Sequence, residues 1–399
     1  MFSFKTKISM LKAVTTKNSP FYIQFYISKF CYLKCKMCNI VESNQDLIPF
    51  DNDKIKKMAD NLIKIWAGVV LLTGGEPFLR PDIDDIVKIF KDKWLDVRMQ
   101  TAWLLAKKDL IVKCVKNWAR DINVSIDSLD EELSDYINWM KWSWRSAMKT
   151  ISFISKTFPK KDSICAIWCV LSNYNLDEIE SMLEFATKIG RRLSLVPVHI
   201  SSTDAIRNFR WIDEYFKISP ERYDDLKQLI ERLKKKKRQW YNLFDSDDYL
   251  DSIYHFITTW SPSRRHKWIC DSPNLYFAIL PDGSFAPCCD FRYPKKIYVY
   301  DDDFPKIYKS QKFREWVKSI TSKCSWCNYW SYPEMTLTAR SFSTLKERIF
   351  LQFKAKKHWL KSLDEEELFS LIEKIKSHYT IYSKDRKFKY RENKICPPK

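Results

Sequence analysis

Between residues 21 and 200, short β-branched and aromatic runs alternate with amphipathic stretches, and this alternation most restricts the fold. Six segments carry the composition of strands: 21–28, 68–72, 95–100, 122–127, 163–171 and 192–200. Between them, helical spacing places Ile55, Met58, Leu62 and Ile65 on one face of a helix over 52–65, and Ile83, Ile86, Val87 and Phe90 on one face of the next. Further helices are expected over 108–118, up to about 157, and over 175–190, where Gly190 is a good terminator. Strand–helix alternation calls for a parallel sheet covered by helices, doubly wound or curled into a barrel. In such sheets chemistry gathers at the C-terminal ends of the strands.

Two motifs sit at that mouth. "FCYLKCKMCNI" follows the first strand and holds Cys31, Cys35 and Cys38; "TGGEP" (73–77) follows the second. The 399-residue chain has only 5 glycines, where average usage gives roughly 28, yet Gly74 and Gly75 are adjacent, which points to a need for bare backbone. Tryptophan, by contrast, occurs 16 times. There are 12 cysteines, no secretory signal in "MFSFKTKISMLKAV" and no apolar run of bilayer length. That combination argues for metal or redox chemistry in a reducing cytoplasm rather than for a disulfide framework. The formal charge of +19 favours an anionic partner, whether nucleic acid, phosphorylated metabolite or lipid surface. Its densest clusters are "RLKKKKRQW" (232–240) and the segment after 340, for which solvated helix faces are the plainer explanation.

Four-iron clusters take one cysteine thiolate per iron, so three cysteines leave one iron open to a ligand. A zinc site with a distant fourth ligand is the alternative, but all five histidines (His199, His255, His266, His358, His378) are remote in sequence. The C-x3-C-x-φ-C spacing, with Met37 as φ, together with "GGEP" after the second strand, resembles the radical S-adenosylmethionine (SAM) superfamily over roughly residues 20–200. The resemblance implies a partial, TIM-like (β/α)6 barrel. It implies a [4Fe-4S] cluster on Cys31, Cys35 and Cys38 whose open iron is chelated by SAM, and reductive cleavage of SAM to a 5′-deoxyadenosyl radical that abstracts hydrogen from substrate. It assigns Gly74 and Gly75 to close approach of the ligand, Glu76 to its ammonium and Pro77 to a rigid exit. Met37 and Val196 go to the adenine, and Ser125 and Asp127 to the ribose, although the last two also suit a turn or helix cap. Many relatives carry Thr-Asn-Gly after the third strand; here "TAW" (101–103) makes a bulkier loop, with Trp103 a candidate for shaping the substrate site.

Past residue 266 the pattern changes. "NLYFAILPDGSFAPCC" (274–289) reads as two short strands around a Pro-Asp-Gly turn. Cys270, then Gly283 with four residues before Cys288, then Cys324-x2-Cys327 resemble the auxiliary cluster region of SPASM and Twitch radical SAM enzymes, with Cys289 a register competitor to Cys288. No cysteine follows Cys327 closely, so the shorter Twitch form, with one auxiliary [4Fe-4S] cluster for electron transfer, is the better match; a zinc ribbon is the alternative. Cys165 and Cys169 share one strand face and would be candidate hydrogen donors if that face looked into the barrel, although buried packing is the commoner use of cysteine.

The expected organisation is a radical SAM core (18–200), a helical linker or insert (201–265), a Twitch/SPASM-like domain (266–335) and a basic helical tail (336–399). The expected activity is oxidation or rearrangement of a small, anionic or sugar-like substrate, with a flavodoxin or ferredoxin as reductant. Peptide modification and RNA modification are the alternatives, and a structural metal or nucleic-acid-binding protein is the non-enzymatic one.

Overall fold

In the computed structural model, residues 2–38, 40–44, 47, 51–102, 108–161, 163, 165–199, 214–260, 270–288, 295–322, 327, 329, 331–355 and 360–379 are described. The chain runs through α1 (Phe4–Thr16), β1 (Tyr22–Ser28), α2 (Ile40–Asn44), α3 (Asn52–Lys64), β2 (Val69–Gly74), α4 (Ile83–Asp92), β3 (Asp96–Thr101), α5 (Lys108–Lys116), β4 (Asp121–Ser125), α6 (Glu131–Asn138), α7 (Ser143–Thr157), β5 (Ala166–Leu171), α8 (Ile179–Lys188) and β6 (Arg192–Pro197). It continues through α9 (Tyr223–Arg238), α10 (Asp247–Thr259), β7 (Tyr276–Ile279), β8 (Phe285–Ala286), α11 (Phe304–Lys309), α12 (Gln311–Thr321), α13 (Ser331–Arg340), α14 (Phe342–Ala355) and α15 (Glu365–Tyr379).

All six expected strands form, in parallel and in sequence order, but the sheet has eight strands, ordered β6-β5-β4-β3-β2-β1-β7-β8. The expected hairpin after 274 is β7 and β8, and β7 adds in parallel to β1, with Tyr22 opposite Tyr276. The segment carrying the second cysteine set is therefore bonded into the sheet of the core.

Strand alternation separates two environments. Ile23, Phe25, Val70, Leu72, Val97, Met99, Ile122, Val124, Ile167 and Cys169 pack with the helices in one apolar layer. The intervening residues face the concave side, which is polar: β3 contributes Arg98 and Gln100, β4 Asn123 and Ser125, β6 Arg192 and Ser194. At the N-terminal end of the barrel this side is filled with charge. Arg98 faces Asp121 at 3.7 Å, Asp245 accepts from Ser194 Oγ and the Leu195 amide, each at 2.8 Å, and Arg192 donates to the Leu351 carbonyl at 3.0 Å. Glu334 of α13 pairs with Arg348 of α14, whose other Nη donates to the Phe244 carbonyl. Thus α13 and α14, with α1 bound through Thr6 Oγ1 to the Gly68 carbonyl at 3.0 Å, close the bottom of the barrel.

The basic run of α9 is largely engaged within the molecule. Lys234 pairs with Glu231 and Asp251, Lys236 with Glu180, and Lys237 with Asp247 and Glu347. These lysines tie α9 to α8, α10 and α14, so the run is in large part a clamp rather than a free basic face. The C-terminal helices are equally integral: α15 buries Leu368, Ile372 and Ile375 against α7 and α8.

Two outcomes follow. Ile372→Ala, at a side chain 1% exposed, lowers stability by about 2–4 kcal/mol in urea unfolding, as removal of a buried branched side chain does; a loose tail would show no change. Burial raises the Asp245 carboxyl from 3.8 to about 6, against the bonds from Leu195 and Ser194 that lower it. The native state then holds this proton longer than the unfolded chain. Its contribution is complete below about pH 4 and is lost as pH rises through about 6. Asp245→Asn flattens the fall in urea midpoint across that window.

Candidate metal centre and cofactor site

The loop 29–38 is held from both sides by backbone. The Gly75 amide donates to the Ser28 carbonyl at 2.9 Å and the Glu76 amide to the Phe30 carbonyl at 2.6 Å. A Cβ on Gly74 would lie 2.3 Å from the Ser28 oxygen, and one on Gly75 would lie 2.0 Å from the Phe30 oxygen; Gly74 also has φ +133°. The two glycines are thus needed because the "GGEP" backbone lies directly on the backbone entering Cys31, whatever a ligand adds. On the other side the Lys36 amide donates to the Ile137 carbonyl at 3.0 Å, and Cys35 Sγ lies 3.3 Å from Asn138 Oδ1. Asn138 is steadied by Ser143 Oγ at 3.1 Å, and Ser143 by Asp135. Asn138 and Asp135 belong to no motif, and their part in the site is visible only once α6 is docked under the loop.

Cys31, Cys35 and Cys38 are partly buried thiols. Burial raises Cys31 to about 12, with Glu76 and Cys38 adding to the rise. Cys35 is raised first by burial, then by Cys38, Cys31 and Asp127. Three thiols that repel each other's ionised forms release their protons only to a strongly cationic centre, so the donor set fits an iron–sulfur cluster. Among the described residues no three His, Cys, Asp or Glu side chains are grouped to hold a metal ion on their own.

The candidate SAM contacts fall around this loop. Glu76 is 2% exposed; Oε1 accepts from the Phe78 amide at 3.1 Å, both oxygens from Thr101 Oγ1 at 3.0 Å, and Oε2 from the Ala102 amide at 3.1 Å. It therefore joins the end of β2 to the end of β3 before any ligand arrives. Pro77 opens a single 3-10 turn, Pro77–Leu79. Ser125 ends β4, with Gln100 Nε2 at 3.5 Å. Asp127 is buried, accepts from the Val170 amide at 2.7 Å, and is raised to about 7 by burial. Met37 and Val170 each pack against the cluster of Leu133, Ile137, Val198 and Phe216, and Val196 sits opposite Val170 in register. Trp103 lies outside the described residues.

Cys165 and Cys169 face away from the lumen, in the layer between sheet and helices. Cys169 Sγ lies 3.7 Å from Met182 Sδ, and Cys165 contacts Ser163 Oγ at 2.9 Å. The condition for a hydrogen-donor role, a lumen-facing pair, is not met.

Of the second set, Cys270, Cys288 and Cys327 are partly buried, and all three pack against one cluster that includes Phe21, Tyr22, Leu275, Tyr276 and Tyr332. Cys324 and Cys289 lie outside the described residues. Two positions after Cys327, Tyr329 stacks on His199 with ring centroids 3.7 Å apart, docking this loop at the end of β6.

Residues 25–186 match the Radical SAM superfamily, and residues 270–328 match SPASM, an iron–sulfur cluster-binding domain. The chain belongs to the radical SAM superfamily and carries a SPASM domain. Among curated relatives, the AdoMet-dependent heme synthase of Methanosarcina barkeri is 26% identical over 181 residues (44% of this chain, 50% of that protein). The antilisterial bacteriocin subtilosin biosynthesis protein AlbA of Bacillus subtilis is 23% identical over 309 residues (74% of this chain) and 62% of its own length is covered. The chain thus spans half to three fifths of these relatives. The fold is that of Streptococcus suis SuiB bound to precursor peptide SuiA (TM-score 0.58, 16% identity, 78% of this chain and 70% of that one). It is also that of anSMEcpe with bound AdoMet and Cp18Cys peptide (TM-score 0.55, 15% identity, 89% and 99%).

Because the forbidden contacts at Gly75 are with backbone, Gly75→Ala displaces the cysteine loop. After anaerobic reconstitution it loses about four irons per chain relative to the unaltered protein, by colorimetric assay. Asn138→Ala, which touches the loop only through Cys35, loses fewer.

Proposed function

We propose that this protein is a radical SAM enzyme that modifies a peptide. What carries the reading is the reach of the similarity to AlbA, 309 residues and 74% of the chain, taken with folds solved around bound peptides. The expectation of a small sugar-like or phosphorylated substrate has less behind it. Its support is a 23% identity over 285 residues to the GTP 3′,8-cyclase of Campylobacter jejuni, which keeps it as the second reading.

Cys31, Cys35 and Cys38 would hold a [4Fe-4S] cluster, which with SAM bound supplies one-electron cleavage of the sulfonium and a carbon radical that takes hydrogen from the substrate. The chain's own residues do the positioning. Glu76, fixed by Thr101 and the Ala102 amide, presents a buried carboxylate to pair with a ligand ammonium. Ser125 offers a hydroxyl at the end of β4, and Asp127, near half-protonated at neutral pH, can both donate to and accept from ribose hydroxyls. Met37, Val170 and Val196 form an apolar wall for a purine. Gly74, Gly75 and Pro77 keep the wall and the cysteine loop in register. The SPASM segment, with Cys270, Cys288, Cys324 and Cys327 as ligands, would carry one auxiliary [4Fe-4S] cluster in the Twitch manner and pass electrons. A small acidic reductant of the flavodoxin or ferredoxin type suits a chain of net charge +19. No helix among the described residues is long and apolar enough to cross a membrane.

Two measurements test the proposal. Reconstituted protein holds about eight irons per chain and forms 5′-deoxyadenosine from SAM and dithionite; Cys35→Ala drops to about four irons and background product, whereas Cys327→Ala loses iron but still cleaves SAM when dithionite reduces the cluster directly. For the substrate, an extract of deuterated source cells is split into peptide and small-molecule fractions. Deuterium entering 5′-deoxyadenosine from the peptide fraction supports peptide modification; transfer from the small-molecule fraction alone overturns it in favour of the second reading.

A further inference from the structure

Glycine is scarce in this chain, and tryptophan occupies the places where the backbone requires glycine. Among the described residues eight non-glycine positions have positive φ, and seven are tryptophan: Trp66 (70°), Trp94 (64°), Trp118 (69°), Trp139 (51°), Trp142 (69°), Trp240 (72°) and Trp260 (52°). The left-handed region brings Cβ against the following carbonyl oxygen, and a bulky side chain there is a genuine outlier.

The hydrogen bonds identify what the positions are. At Gly190, past the end of α8, the Gly190 amide donates to the Thr187 carbonyl and the Arg191 amide to Ala186. This pairing of a three-back bond with a five-back bond from the next residue is the Schellman helix stop, whose left-handed residue is usually glycine. Five tryptophans repeat it. Trp66 bonds to Ile63 and Ala67 to Leu62; Trp94 to Lys91 and Leu95 to Phe90; Trp118 to Val115 and Ala119 to Cys114; Trp139 to Tyr136 and Met140 to Asp135; Trp240 to Lys237 and Tyr241 to Lys236. Trp260 makes the simpler left-handed stop, to Phe256. At Trp66, Trp94, Trp118, Trp142 and Trp240 the residue is also between 43% and 70% exposed, so burial gives no reason for an indole. The tryptophans inside regular elements, Trp144 in α7, Trp168 in β5 and Trp316 in α12, have ordinary φ.

Composition agrees. There are 5 glycines against roughly 28 at average usage, and 16 tryptophans. With tryptophan there, six helices end, and α7 begins, on a residue that resists the required turn. With glycine there, local preference and fold coincide, as a foldable sequence demands.

We propose that the protein made in its native cell carries glycine at positions 66, 94, 118, 139, 142, 240 and 260, because the codon at these sites, UGA, is decoded there as glycine. Trp168 and Trp316 are true tryptophans, encoded by UGG. The proposal is independent of the functional reading above.

The deciding experiment is peptide mass mapping of the full-length protein purified from its native cells, read beside its gene. Glycine at the seven positions and UGA beneath them is the expected result. Tryptophan in the peptides, or UGG in the gene at those positions, overturns it. A second measurement uses recombinant protein. Each of Trp66→Gly, Trp94→Gly, Trp118→Gly and Trp240→Gly raises Tm by about 1–2 °C, while Trp168→Gly and Trp316→Gly lower it. A fall in Tm at the four helix stops also overturns the proposal.

Discussion

The site depends on one contact between two stretches of main chain. The residues after β2 lie so close on those after β1 that neither Gly74 nor Gly75 can carry a Cβ, and amide-to-carbonyl bonds lock the two stretches together. Everything assigned to cofactor chemistry hangs on that seam. It sets where Cys31 leaves the sheet, and it brings Glu76 under the ends of β2 and β3. From the other side α6 presses its last carbonyls and Asn138 against Cys35 and Lys36. A loop pinned in this way carries three thiols whose charges disfavour one another's ionisation.

The parallel sheet supports this arrangement with two unlike faces. Its convex face is a continuous apolar layer under the helices, and its concave face is polar along β3, β4 and β6. At the mouth those polar groups are available to a ligand. At the bottom they are consumed by arginine–carboxylate pairs and by α13 and α14, which enter from the far end of the chain. Burial takes Arg348 down to about 9 and Arg192 to about 10, so the plug is held under electrostatic tension that Asp245, Glu334 and Asp121 offset. The SPASM segment is part of the same construction: β7 extends the sheet beside β1, and Tyr329 docks on His199 at the end of β6. A continuous sheet thus joins the two cysteine regions.

The left-handed helix stops carry a general lesson about reading such chains. A helix end is specified by backbone geometry, and the hydrogen bonds that close it record which residue the position is built for. When side chain and backbone disagree at one position, a local explanation suffices; seven disagreements of the same kind point to a single cause that acts on the chain as a whole.

The sequence by itself determined the alternation of strands and helices and both cysteine sets, because period-two and helical spacing are local and because thiols at fixed intervals mean little except metal chemistry. It also marked Gly74 and Gly75, through their rarity elsewhere. It did not show why they are needed: the obstruction comes from Ser28 and Phe30, more than forty positions away. Nor could it show that β7 joins the core sheet, that Lys234, Lys236 and Lys237 serve as ion-pair clamps, or that Cys165 and Cys169 face the helices. Those depend on which surfaces meet after folding. Only the tertiary structure brings Asn138 of α6 against Cys35 and Thr101 of β3 against Glu76.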